Sequence, residues 1–200
     1  MPDDAHIRPA RKADAAALAV LMDMAGEGMA SWVWSQMASG HETAFEVGCM
    51  RIRREEELFS YRNASVLTAS QDGAEEIAGM VLGYRLDDPF VLPDLAGMPV
   101  PFRPLLELEA KAPGAWYLNA MAVFSDFRGR RFGGRLLETA EALARESGAT
   151  EIALIWAEEN DLAAGLYKRF GYAERARRPI VPFPGIRLGG DWVLLAKPLG

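Results

Sequence analysis

Arginines and glycines are concentrated in one short run in the second half of the chain. The run contains Arg128, Gly129, Arg130, Arg131, Gly133, Gly134 and Arg135. The mainly apolar residues before it, Trp116–Val123, predict a buried strand, and apolar residues at helical spacing after it, over 136–144, predict a helix. Glycines let a ligand approach the main chain, and the first N–H groups of a helix are unpaired and partly positive. This combination predicts a site for a phosphate or pyrophosphate group.

The spacing within this run distinguishes it from two common phosphate loops. A Walker A loop ends in Gly-Lys-Ser/Thr, which the run lacks. A dinucleotide loop needs G-x-G-x-x-G, and Gly129, Gly133 and Gly134 do not have that spacing. An ordinary helix start with solvated arginines accounts for the run about equally well at this point.

A second patterned segment follows the predicted helix. Ile152–Trp156 is continuously apolar, which predicts a strand buried on both faces. The next residues read Asn160-x-x-Ala163-x-x-Leu166-Tyr167-x-x-x-Gly171-Tyr172. Asn160 is a typical helix N-cap and Gly171 a typical helix stop. Strand, helix and strand over 116–157 predict a right-handed parallel crossover.

Together the two segments resemble the GNAT superfamily of N-acetyltransferases. The first matches the acetyl-CoA pyrophosphate loop, Gln/Arg-x-x-Gly-x-Gly/Ala, with Arg128 at the first position and Gly133 at the last. Arg131 replaces the central glycine, a departure that matters only if this position requires a positive φ. The segment from Asn160 to Tyr172 matches the family's Asn-x-x-Ala-x-x-Leu-Tyr-x-x-x-Gly-Phe/Tyr. The resemblance covers about residues 116–173, and the amino-terminal half matches only in its layout.

The resemblance implies an α/β (α+β) fold of the GNAT type. We expect a single three-layer domain over residues 1–200, with a proline-rich insertion at about 87–113. Its central sheet should be mixed and mostly antiparallel, with a splayed parallel strand pair, 116–123 and 151–157, at the acetyl-CoA site. Periodicity and turn residues further predict strands at 6–10, 64–70, 77–86, 172–178 and 191–197, a hairpin turn at 71–73, and helices at 15–25, 42–59 and 105–110.

The activity implied by the resemblance is transfer of the acetyl group of acetyl-CoA to a primary amine. The amine would attack directly in a ternary complex, with coenzyme A as the product. The cofactor-binding residues implied are Met121, Ala122, Val123, Arg128, Gly129, Arg130, Arg131, Phe132, Gly133, Gly134 and Asn160. Two alternatives stay open, a non-catalytic acetyl-CoA sensor or regulatory module of the same fold, and an unrelated phosphate- or nucleotide-binding protein.

The catalytic residue implied by the resemblance is Tyr167. A phenol with a pKa of roughly 10 stays protonated at neutral pH and can donate a proton to the leaving thiolate. Core packing beside Leu166 is its alternative role. Four residues are candidates to line the acceptor site or to supply the base, and they are Glu107, Glu109, Tyr117 and Asn119. The predicted acceptor pocket comprises Trp32, Trp34, Tyr61 and Asn119, although core packing is the more common role for such tryptophans.

Composition narrows the class of protein. Half of the 200 residues are hydrophobic, which is enough for one core, and the net charge of −6 argues against broad nucleic-acid binding. The single cysteine, Cys49, excludes an internal disulfide, and His6 and His41 have no metal-site spacing. The acidic start and the absence of a long apolar run predict no signal peptide and no membrane association. We expect a cytoplasmic monomer or homodimer that uses no metal, and the resemblance implies that its acceptor is a small-molecule or peptide amine.

Overall fold

A computed structural model describes residues 5–71, 73–186 and 189–200. The acidic start, 1–4, and Asp72 of the predicted hairpin turn lie outside the described residues. The helices are α1 Ala15–Ala25, α2 Met29–Met37, α3 Ala44–Ile52, α4 Arg103–Glu109, α5 Phe132–Glu146 and α6 Asp161–Arg169. The strands are β1 His6–Pro9, β2 Ala64–Gln71, β3 Ala74–Arg85, β4 Trp116–Val123, β5 Glu151–Ala157, β6 Ala173–Pro179 and β7 Asp191–Pro198.

The strands described form one mixed sheet in the order β1-β2-β3-β4-β5-β7-β6. Four neighbouring pairs, β1–β2, β2–β3, β5–β7 and β6–β7, are antiparallel, and β4–β5 is parallel. The predicted fold class, a mixed and mostly antiparallel sheet with one parallel pair, is confirmed.

The chain forms two compact units. The first comprises Met1–Gly83 and Ala120–Ala140, and the second comprises Tyr84–Asn119 and Glu141–Gly200. The single domain over 1–200 stays a prediction. The proline-rich stretch 87–113 belongs to the second unit and contains two short 3₁₀ turns followed by α4.

In the first unit, α3 is shorter than the predicted helix 42–59. It begins after Thr43, whose side-chain oxygen accepts from the Glu46 N–H at 3.2 Å, while the Glu46 carboxylate accepts from the Thr43 N–H at 2.8 Å. This reciprocal capping box fixes the start of the helix. The helix ends at Ile52, because the charged residues that follow offer no apolar side chain to continue its buried face.

In the second unit, β5 lies between β4 and β7. Ile152, Ala153 and Leu154 are at most 2% exposed, so this strand is buried on both faces as its apolar run predicted. α6 follows it and ends at Arg169. Gly171 has a φ of 83°, a left-handed conformation that glycine adopts without strain, and the helix stop predicted there is confirmed. In the described part of the chain, every helix is too short or too polar to cross a membrane.

Candidate active site

In the first unit, the arginine- and glycine-rich run forms a tight loop that ends in α5. Gly129 and Arg131 both have positive φ values, 79° and 61°. The Arg131 carbonyl accepts from the N–H groups of Gly134 at 3.2 Å and Arg135 at 3.4 Å, so the intrahelical bonds of α5 begin there. The N–H groups of Phe132 and the following glycine therefore precede the first helical hydrogen bonds. This is the backbone geometry that binds anions at a helix start.

Arg131 occupies the position where the GNAT loop has glycine. Its φ of 61° lies in the left-handed region, which costs an L-residue with a Cβ atom about 1–2 kcal/mol. The replacement of the family glycine by Arg131 therefore has an energetic cost, because this backbone position takes a positive φ.

The arginine side chains of the loop are held by aromatic rings and backbone carbonyls. The Arg130 guanidinium lies 4.9 Å from the centre of the Phe132 ring and 5.6 Å from that of Phe127. Arg135 lies 5.9 Å from the Phe132 ring and donates to the Ala5 carbonyl at 2.7 Å. Because Phe132 is only 2% exposed, it anchors the helix start in the core of the first unit. Positive charge is thereby fixed beside the unpaired amides.

The end of β4 in the first unit runs very close to β3. A Cβ atom at Gly79 would lie 2.7 Å from the Ala122 carbonyl oxygen, so only glycine allows this approach. The Phe124 N–H donates to the Ala78 carbonyl at 2.9 Å. Since backbone groups alternate in direction along a strand, Ala122 also presents its N–H and C=O to β3, while Met121 and Val123 present theirs to the opposite edge. The Val123 carbonyl accepts there from Arg128 Nε at 3.3 Å.

The parallel pairing of β4 with β5 is short. Its register comprises three pairs, Trp116 with Ile152, Tyr117 with Ala153, and Leu118 with Leu154. Both strands continue beyond these pairs, β4 to residue 123 and β5 to residue 157. The splayed parallel pair predicted from the resemblance is confirmed.

Tyr167 lies in α6 of the second unit, packed among aromatic rings. Its ring centre is 6.1 Å from that of Trp156 in an edge-on contact and 5.9 Å from that of Tyr172. The residue is 8% exposed, and burial raises the pKa of its hydroxyl to about 12. The phenol is therefore protonated at neutral pH and can donate a proton.

Asn160 occupies the N-cap position of α6, as predicted. Its backbone carbonyl accepts from the N–H groups of Ala163 at 3.0 Å and Ala164 at 3.4 Å. Its side chain makes no capping hydrogen bond within the described part of the helix start. The predicted N-cap position of Asn160 is therefore correct.

A polar cluster of the second unit contains two of the four residues that were candidates to line the acceptor site or to supply the base, Tyr117 and Asn119. Asn119 Nδ2 donates to the Tyr84 hydroxyl at 3.4 Å, and the rings of Tyr84 and Tyr117 meet edge-on with centres 5.9 Å apart. Burial raises the pKa of Glu109 to about 7. The fourth candidate, Glu107, instead accepts from Arg178 Nε at 2.6 Å.

Tyr84 is a member of this cluster that sequence reasoning did not identify. It is separated from Asn119 by 35 residues and sits near the end of a predicted strand, where an aromatic residue is common. The one sequence signal for Tyr84 was its place on the predicted strand before the proline-rich stretch, with Tyr117 on the predicted strand after it.

The remaining predicted acceptor residues lie in the first unit. Trp34 is 5% exposed, and its ring lies where a Cβ atom at Gly48 would come within 2.5 Å, so it packs α2 tightly on α3. This contact shows that Trp34 packs in the core of the first unit. Trp32 is half-buried, and the Tyr61 hydroxyl donates to Glu55 at 3.3 Å. A role of these residues in acceptor binding stays a prediction.

The chain belongs to the acetyltransferase (GNAT) family, since the model of that family matches residues 27–172. Among solved structures it is similar to one described as an acetyltransferase, with 22% identity, a TM-score of 0.64, and coverage of 98% of this chain and 100% of that one. It is also similar to an N-acetyltransferase from Staphylococcus aureus Mu50, with 18% identity, a TM-score of 0.62, and coverage of 96% and 100%.

A third similar structure is the Salmonella typhimurium protein yncA with its cofactor acetyl-CoA. It has 16% identity, a TM-score of 0.58, and coverage of 98% of this chain and 95% of that one. At these identities the structures support the fold, and the family model supports membership. No curated protein matches the chain significantly. Within the described residues, no group of three or more His, Cys, Asp or Glu side chains could hold a metal ion.

Proposed function

We propose that this protein is an N-acetyltransferase that transfers the acetyl group of acetyl-CoA to a primary amine by direct attack in a ternary complex. The observation that carries the proposal is the backbone of the loop before α5. Positive φ values at Gly129 and Arg131 turn the chain so that the first amides of the helix are left for an anion. In a member of the GNAT family, the pyrophosphate of acetyl-CoA is the anion that fits.

The proposed cofactor contacts are divided between backbone and side chains. The amides over 129–134 bind the pyrophosphate, and the arginines at 128, 130 and 131 supply positive charge. The main chain of Met121, Ala122 and Val123, with Asn160, binds the pantetheine arm. Met121 and Val123 have backbone groups that face away from β3, which supports this assignment.

The proposed chemistry assigns one proton donor and one stabilised oxyanion. Acetyl-CoA supplies an acetyl group activated as a thioester. The neutral amine attacks its carbonyl carbon, and the Met121 N–H stabilises the negative charge that develops on the carbonyl oxygen. When the carbon–sulfur bond breaks, Tyr167 donates its proton to the leaving thiolate, and the proton that the nitrogen loses as the amide forms returns to the Tyr167 phenolate through water. Burial, which raises the pKa of Tyr167 to about 12, supports this role, because the hydroxyl remains protonated.

The proposed acceptor is a small-molecule or peptide amine, bound near Trp32, Trp34, Tyr61 and Asn119. We further propose that residues 1–200 act as one cytoplasmic domain, as a monomer or homodimer, without a metal. A sensor that binds acetyl-CoA without catalysis is the alternative. Turnover of any member of a panel of amines, amino acids and peptides excludes that alternative.

Gly133→Glu tests the cofactor site, because it places bulk and negative charge beside the helix-start amides. We expect at least a tenfold weaker acetyl-CoA affinity by calorimetry, equivalent to about 1.4 kcal/mol. Thr139→Glu is the matched control, since it adds the same charge to the same helix further along and should leave the affinity unchanged. Equal acetyl-CoA affinity of folded Gly133→Glu and wild type would refute the site.

A further inference from the structure

The backbone of Tyr167 is fixed by the hydrogen bonds that end α6. The Tyr172 N–H donates to the Tyr167 carbonyl at 3.1 Å, and the Gly171 N–H donates to the Lys168 carbonyl at 3.1 Å. These two bonds form a Schellman motif, which uses the left-handed conformation that Gly171 adopts with its φ of 83°. The motif turns the chain back on the last turn of the helix. It thereby places Tyr172 beside Tyr167, with their ring centres 5.9 Å apart.

Trp156 meets the Tyr167 ring from a different element, the strand β5. The two rings are in edge-on contact, with centres 6.1 Å apart and an angle of 76° between their planes. Trp156 pairs with Val193 of β7 and lies two residues after Leu154, where the parallel register with β4 ends. The backbone of Trp156 is therefore held by strand pairing with β7, and its position does not depend on α6.

These two contacts restrain the orientation of the Tyr167 ring. Within the described residues, the Trp156 Nε1 atom and the Tyr172 hydroxyl are buried without a hydrogen-bond partner. Ring packing is thus the interaction that both side chains provide to Tyr167. Edge-on and tilted aromatic pairs have preferred geometries, so they orient the ring as well as bury it.

We propose that Trp156 positions the Tyr167 hydroxyl for proton donation to the leaving thiolate, with the Tyr172 ring as the second restraint. This inference rests on the proposed acetyl transfer and on the role of Tyr167 in it. A proton donor acts within about 2.6–3.2 Å of its acceptor, so a modest rotation of the ring would take the hydroxyl out of reach. Trp156 contacts the ring rather than the reacting atoms, which makes it a positioning residue.

Trp156→Leu tests this role, because it removes the aromatic contact and keeps an apolar side chain. Where chemistry limits the rate, kcat for the amine that wild type acetylates fastest should fall about 10–10²-fold. The affinity for acetyl-CoA, measured by calorimetry, should stay within about twofold of wild type, because only the transition state loses an interaction. Trp156→Phe restores an aromatic edge and should recover most of the lost kcat.

A double-mutant cycle separates positioning from general structural damage. In the Tyr167→Phe background there is no hydroxyl to position, so adding Trp156→Leu should lower kcat no further. A merely structural role of Trp156 would lower kcat by the same factor in both backgrounds.

Trp192→Leu is the matched control, because it changes a second tryptophan of the same sheet. Trp192 pairs with Ala157, the residue after Trp156, so its side chain lies on the opposite face of the sheet from Trp156. It is only 5% exposed, and its loss therefore disturbs packing at least as much as the loss of the half-buried Trp156. The kcat of Trp192→Leu should nevertheless remain close to that of wild type.

The outcomes separate this inference from the proposed function. A wild-type kcat in Trp156→Leu, or an equal further fall in the Tyr167→Phe background, overturns the positioning role while acetyl transfer stands. An equal fall in Trp192→Leu overturns it as well. If wild type binds acetyl-CoA but acetylates no amine, both the transfer and the positioning role are refuted.

Thermal unfolding establishes that each variant is folded. If Trp156→Leu does not fold, Trp156→Met takes its place, because it keeps a long apolar side chain without a ring. The same loss of kcat, the same acetyl-CoA affinity and the same result in the Tyr167→Phe background are then expected.

Discussion

The conformation of Arg131 leads to a quantitative prediction about stability. Its φ of 61° costs about 1–2 kcal/mol for a residue with a Cβ atom, and glycine at this position avoids that cost. Glycine also gives the unfolded chain more freedom, which destabilises the fold by about 0.4–1 kcal/mol. The Arg131→Gly variant should therefore be as stable as wild type or more stable by up to about 1.5 kcal/mol.

Arg128→Gly is the matched control for this substitution. Arg128 belongs to the same loop and is exposed, but its φ of −67° is unstrained. Glycine at position 128 lowers stability by the same amount, because it gives the unfolded chain the same extra freedom. It relieves no backbone strain in the folded chain. The unfolded-state contributions cancel when the two variants are compared, while Arg128→Gly also removes the hydrogen bond from Arg128 Nε to the Val123 carbonyl. Arg131→Gly should therefore exceed Arg128→Gly in stability by at least about 1 kcal/mol.

Urea unfolding and thermal melting both measure this difference. For a chain of 200 residues, about 1 kcal/mol corresponds to a shift of about 2–4 °C in Tm. Arg131→Asn should recover part of the gain, because asparagine tolerates the left-handed region better than arginine. If the two arginine-to-glycine variants lose the same stability, the left-handed strain assigned to Arg131 is absent and the reasoning fails.

Two further predictions concern single packed side chains. Tyr167→Phe should keep the acetyl-CoA affinity and lower the rate of thiol release by about 10²–10⁴-fold, and a full rate measured where chemistry is limiting would show that Tyr167 only packs. Gly48→Val should destabilise the protein by about 1–3 kcal/mol in urea, because a Cβ atom there lies 2.5 Å from the Trp34 ring. Gly97→Ala, where a Cβ atom meets nothing within 4 Å, is its control, and equal losses in both would contradict tight packing of α2 on α3.

Much of the architecture could be predicted because it is encoded in local patterns. The apolar run Trp116–Val123 and the helical spacing of 15–25 give the bounds of β4 and α1 as the structure has them. The predicted helix 42–59 was wrong at its end, since its charge-rich second half looks helical in composition but has no apolar face to bury.

The sequence by itself determined the family-defining segments, the loop after β4 and the pattern from Asn160 to Tyr172, because short-range spacing specifies backbone turns and helix faces. Only the tertiary structure decided that position 131 takes a positive φ, that burial raises the pKa of Glu109 to about 7, and that Glu107 pairs with Arg178. The physical reason is that the pKa of a carboxylate depends on burial and on partners brought from distant strands. The residues that adjoin a carboxylate in the sequence do not show how deeply it is buried or which distant residues contact it.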